Sequence, residues 1–131
     1  MGVIGIVLVS LFGCFTFGFN VVKFSREDLR ASQILQEKME AIRLYTWKQL
    51  NQTNFVNTSF TAPAGLTGTS YFYGKVEILD NSASGFPVTN TYAKNLRLVK
   101  VSLTWTNNGM VRTRETSTFV SQYGLQNYIY N

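Results

Sequence analysis

The sequence predicts an α+β fold, a long N-terminal α-helix packed on a small antiparallel β-sheet. Three observations carry this. Met1 to Val22 contains no charged side chain. The charged segment that follows, to about Leu50, keeps the apolar spacing of one helix face. Beyond Ser70 the chain alternates polar and apolar residues in short runs broken by Gly, Pro and Asn, as strands and turns do. The expected division is therefore an apolar helix over 1–22, an amphipathic helix over 23–50 and an antiparallel β domain over 51–131. The second and third parts form one globular head.

Bulk properties set the limits. The chain has 131 residues, which favours one domain. What remains after the helix can build only a small core, and it needs the helix's apolar face to complete it. Net charge is +5, but the basic residues are spread from Lys23 to Arg114 without a run. That argues against a nucleic-acid-binding arm, and nucleic acid is not an expected partner. Cys14 is the single cysteine and there is no histidine. An intramolecular disulfide is impossible, and the commonest general base and zinc ligand are missing. No nucleophile elbow or phosphate-binding loop occurs. Past Glu40 the acids are Glu77, Asp80 and Glu115, which the sequence does not bring together. No catalytic, cofactor-binding or metal-ligating residue is expected, and no cofactor.

Val3 to Val22 rises roughly 30 Å as a helix, the thickness of one bilayer core. A secretory signal peptide fits poorly. There is no basic flank before the run, the run is too long, and no small-residue cleavage site follows. The expectation is a transmembrane helix. Ser10, Cys14 and Gly18 recur every fourth residue with Gly13 beside them, a small face on which helices can approach closely. Leu8 and Leu11 belong to the surrounding apolar surface. These six are the candidate helix-packing residues.

Ser25 and Asp28 have capping-box spacing, so a fresh helix could start there. One continuous helix is preferred, because no Pro or Gly lies between Gly18 and Leu50. From Ala31 the apolar residues Ile34, Leu35, Met39, Ile42 and Tyr45 cover roughly 140° of arc. Glu27/Arg30 and Glu40/Arg43 are i,i+3 pairs on the polar side. The stripe is expected to receive the sheet.

Asn51 to Ser70 reads as a linker rich in Asn, Thr, Ser and Gly, with Phe55 and Phe60 pinning it to the core. It holds two weak glycosylation sequons, at Asn51 and Asn57. Tyr71 to Leu79 alternates, with Phe72, Val76 and Ile78 on one face. Asp80 to Thr89 is a loop. In Leu96 to Thr106, Val99, Val101, Leu103 and Trp105 point inward. Asn107-Asn108-Gly109 signals a hairpin. A three-residue loop is preferred over two, because it places Val111, Thr113 and Phe119 on the face of Trp105 and buries more apolar surface. The tail, with Tyr123, Leu125, Tyr128, Ile129 and Tyr130, is too apolar to stand free in water.

Together these residues resemble the type IV pilin superfamily, and more closely the minor pseudopilins of type II secretion systems. Ala31-Ser32-Gln33-Ile34-Leu35-Gln36-Glu37-Lys38-Met39-Glu40 is similar to an A-x-x-L-x-x-E-K-M-E segment common in that group. Val99 to Thr106, the turn and Arg112-x-Arg114 resemble its last hairpin. The resemblance implies a pilin-like fold and a structural subunit that assembles through its apolar helix. It also implies partners: other pilin or pseudopilin subunits, inner-membrane lipid before assembly, and a prepilin peptidase if a leader exists. The group's cleavage motif, Gly followed by Phe-Thr-Leu-Ile-Glu after a basic leader, does not appear. The expectation is that the leader and about ten helix residues precede Met1. Lys23, Arg26 and Arg30 alone would hold the head in the cytoplasm. The resemblance implies the reverse, a single-pass protein of the bacterial inner membrane with a periplasmic or extracellular head.

A second reading is a binding module at a filament tip, contacting a secreted substrate, a surface or DNA. Its candidates are Tyr71, Tyr73, Lys75, Lys94, Arg97 and Lys100, since aromatic rings with nearby cations can hold bases or acidic groups.

Overall fold

A computed structural model of the chain describes residues 2–64 and 71–124. Helix α1 (Gly2–Arg43) is followed by α2 (Trp47–Asn51), strands β1 (Ser59–Pro63) and β2 (Tyr71–Leu79), a 3₁₀ turn (Thr91–Asn95), and strands β3 (Leu96–Asn107) and β4 (Met110–Ser121). The fold is α+β, with the long N-terminal helix and one antiparallel sheet in the order β1-β2-β3-β4. The chain divides into two compact units, Met1–Arg30 and Ala31–Asn131. The first is helix alone. The second is the head.

Helix α1 does not break at Lys23 or at Ser25. It ends at Arg43, short of the expected Leu50. The last turn tightens through Leu44 N–H to the Ala41 carbonyl and Tyr45 N–H to the Ile42 carbonyl. Thr46 then takes an extended conformation and caps α2. Its hydroxyl accepts from Gln49 N–H at 3.4 Å, and its own N–H donates to Gln49 Oε1 at 2.8 Å. The reciprocal pair outcompetes continuation of the helix, because a capping side chain satisfies backbone groups that would otherwise be orphaned.

In the head, α1 contributes Ala31, Ile34, Leu35, Met39 and Ile42 to one core cluster. The sheet contributes Phe72, Val76, Val99, Val101, Leu103 and Trp105, and α2 adds Leu50. Tyr45 is half-buried at the margin, where its ring meets Phe55 edge-on at 5.3 Å. Phe72 and Trp105 meet in the same way at 5.2 Å, an arrangement aromatic quadrupoles favour.

The segment expected to be a linker, Asn51 to Ser70, contains β1 and the last residue of α2, whose first four residues fall in the stretch expected to continue the long helix. Strand β1 pairs Phe60 with Gly74 of β2. The Phe60 ring lies over Gly74 so closely that a Cβ there would overlap it. Gly74 interrupts the apolar face of β2, and the aromatic ring of the neighbouring strand fills the gap. Lys38 from α1 lies over the same ring, its Nζ 4.6 Å from the ring centroid.

The β3–β4 connection corrects the expected register. Asn107 pairs with Met110, so the loop holds two residues, Asn108 and Gly109, not three. Both have positive φ, 49° and 76°, as a type I′ turn requires. Trp105 therefore faces Arg112, and Arg114, Thr116, Thr118 and Val120 share its side. Val111, Thr113 and Phe119 lie on the opposite face. The turn's match to strand twist outweighs the apolar burial that a three-residue loop would give. Phe119 pairs across from buried Leu98 and meets Phe86 edge-on at 6.0 Å, yet both it and Val111 remain exposed, Val111 more so. Leu125, Tyr128, Ile129 and Tyr130 of the tail lie outside the described residues.

Two substitutions test this packing. Ile42→Ala should destabilise the head by about 2–5 kcal/mol in urea or thermal unfolding, since Ile42 is only 3% exposed. An unchanged transition would mean that the stripe is not part of the core. Gly74→Ala should cost about 1–3 kcal/mol by displacing the Phe60 ring. In a Phe60→Ala background the same change should cost much less, and equal costs in both backgrounds would refute the ring-over-glycine contact.

Candidate functional site: the exposed apolar helix

Every described residue from Gly2 to Arg26 is exposed. This stretch includes Phe12, Phe17 and Phe19, each more than 70% exposed. Isolated exposed apolar residues need no explanation, but a contiguous surface of this extent does. The chain has one N-terminal helix long and apolar enough to cross a membrane, and none of its apolar window is buried.

The two hydroxyls within the helix's apolar turns suit a dry environment. The Ser10 hydroxyl donates to the Ile6 carbonyl at 2.8 Å, and the Thr16 hydroxyl donates to the Phe12 carbonyl at 3.0 Å. Each hydroxyl is satisfied within the helix, and the helix bonds its own backbone. Cys14 is a free, exposed thiol, a small and weakly polar group. Added Cβ atoms at Gly13 and Gly18 would meet nothing within 4 Å. No packing inside the chain calls for glycine at those positions. Ser10, Gly13, Cys14 and Gly18, with Leu8 and Leu11 around them, lie on the exposed surface of the helix.

The head presents a second surface, the outer face of the sheet. Tyr71, Tyr73, Lys75 and Glu77 of β2 lie there beside Thr104, Ser102 and Lys100 of β3. Tyr71 and Tyr73 are exposed. Lys75 Nζ bridges to Glu77, which holds the Glu77 carboxyl below its ordinary range, mainly through that hydrogen bond. Arg97 does not join this face. Its Nε donates to Asn51 Oδ1 at 2.9 Å, and its guanidinium lies 4.8 Å from the centre of the Trp47 ring. It also donates to the Lys94 and Leu96 carbonyls. Arg97 thus ties α2 to the end of β3. Asn51, of the first sequon, is bound at both ends, because its Nδ2 donates to the Trp47 carbonyl at 2.8 Å.

A groove of about 460 Å³ runs between α1 and β4. Leu35 and Met39 line it with Glu40, Arg43, Arg114 and Thr116. Arg114 donates to Ser32 Oγ at 3.3 Å across it. Among the described residues no group of three or more His, Cys, Asp or Glu could hold a metal ion. No protein-family model, curated protein or solved structure matches the chain.

Cys14 reports directly on the environment of the helix. In sealed vesicles carrying the full chain, it should resist a membrane-impermeant maleimide and react once detergent is added. Prompt labelling of intact vesicles would place the stretch outside the bilayer.

Proposed function

We propose that the chain is a structural subunit of a pilus-like filament, of the kind formed by type II secretion pseudopilins and type IV pilins. The observation that carries this reading is the pairing of Gly2–Val22, a fully exposed apolar stretch of helix, with a head in which the same helix completes a small antiparallel sheet. At roughly 25 cal/mol per Å², that much apolar surface is too costly to leave in water. Lipid covers it first, as a single pass of the bacterial inner membrane with the head on the periplasmic or external side. Sister helices cover it in the assembled filament, with Ser10, Gly13, Cys14 and Gly18 permitting close approach. If a leader precedes the helix, a prepilin peptidase removes it.

The alternative, a filament-tip binding module, draws support from exposed Tyr71 and Tyr73 beside Lys75. It is weaker, because Glu77 neutralises Lys75 and Arg97 is engaged by Asn51 and Trp47.

A charge in the helix tests the subunit reading. Leu8→Lys or Leu11→Lys should abolish recovery in membranes and in sheared filament fractions. The urea transition of the head should stay unchanged, because Leu8 and Leu11 take no part in its core. A full-length charged variant that fractionates and assembles like the wild type would defeat the proposal. An Ala31–Asn131 fragment should be monomeric without detergent, whereas the full chain should require it.

A further inference from the structure

We infer that the turns of α1 just beyond the apolar stretch form a recognition stripe for anionic phospholipid headgroups. The inference rests on the reading of Val3–Val22 as membrane-inserted. Lys23, Arg26 and Arg30 are all exposed. At 100° per residue they fall within about 60° of helix arc, so they form one row of cations. Glu27 flanks the row at i−3 from Arg30, and Asp28 projects to nearly the opposite side. The row therefore carries three cations against one anion.

Depth makes the match to headgroups specific. With the apolar core ending at Val22, a rise of about 1.5 Å per residue puts Lys23 at the core edge and Arg26 about 6 Å beyond it. The headgroup layer of one leaflet is about 5–8 Å deep, so both lie within it. Arg30 is about 12 Å out, within a Debye length of the phosphates at physiological salt. Long Lys and Arg stems can reach toward the interface while their heads meet phosphate oxygens. Guanidinium and phosphate also pair through two parallel hydrogen bonds, which a zwitterionic headgroup rewards less because its own cation competes. The stripe is continuous with the apolar surface that inserts, so the same bilayer supplies both partners.

The test uses the full chain reconstituted in phosphatidylcholine vesicles with trace spin-labelled phosphatidylglycerol or phosphatidylcholine. The fraction of motionally restricted label reports which lipid the protein holds. At low salt the wild type should prefer phosphatidylglycerol roughly two- to fivefold, and the preference should collapse toward unity in molar salt. A Lys23→Gln/Arg26→Gln/Arg30→Gln variant should still restrict lipid but show no preference, and Glu27→Gln should raise the preference. Equal restriction of both lipids by the wild type would overturn the inference. So would a preference that survives the triple substitution. A preference lost on dilution to one chain per vesicle would assign the stripe to a second copy instead. If the chain restricts neither lipid, the membrane reading itself fails, which is a separate result.

Discussion

The head depends on a match of lengths between helix and sheet. Ala31 to Ile42 rises roughly 17 Å along α1, while Val99 to Trp105 extends roughly 20 Å along β3. Over that distance every inward side chain of β3 is buried: Val99, Val101, Leu103 and Trp105. The helix stripe is buried over the same interval, and neither element has a core without the other. A four-stranded sheet of this size has one apolar face to offer, and the stripe from Ala31 to Ile42 uses it. The apolar residues from Gly2 to Val22 are of a different kind, since they surround the helix rather than forming one side of it.

That difference explains what the sequence made legible. The all-round apolar run and the one-sided stripe have distinct periodicities, so the two halves of α1 can be told apart from residue spacing alone. The inward residues of β2 and β3 follow from alternation for the same reason. What escaped was decided by local backbone chemistry. Thr46-Trp47-Lys48-Gln49 has capping-box spacing, and that signal was present, but the unbroken helical composition around it concealed the stop at Arg43. Strand β1 is only five residues and sits in polar company. Its assignment required knowing that Gly74 leaves a space for Phe60, which is a pairing across strands and not a local pattern. The hairpin failed on a competition between two valid rules. Burial favoured three loop residues, whereas Asn108 and Gly109 at positive φ favoured two.

The candidate surfaces were less legible than the fold. Arg97 alternates onto the inward side of β3, yet its position at the strand's start lets the guanidinium reach Trp47 and Asn51. A cation counted among binding residues is instead a clamp on the short helix that follows α1. The tyrosines of β2 do remain exposed, but Lys75 beside them is paired with Glu77. Ser10 and Thr16 show the opposite case. Their hydroxyls interrupt an apolar run in sequence, and bonding to Ile6 and Phe12 carbonyls removes most of the cost of that interruption.

On the proposed reading, the physical problem of assembly is the exchange of lipid for protein around the same helix. Lipid tails are as apolar as leucine, so the exchange gains nothing from the hydrophobic effect. Its drive has to come from close packing at small residues and from contacts between heads. A side chain added at Gly13 or Gly18 would meet nothing among the described residues, so on the proposed reading these positions are open to a neighbouring helix. The head has a corresponding feature in β4. That strand runs twelve residues with unbroken pairing to β3, and among the described residues β3 is its only strand neighbour. Met110–Ser121 holds no proline or lysine, and its charges are Arg112 and Arg114 on the inward side and Glu115 on the outer side. Among the described residues, the apolar turns of α1 and the outer edge of β4 are thus both left open, and on the proposed reading neighbouring subunits would cover them.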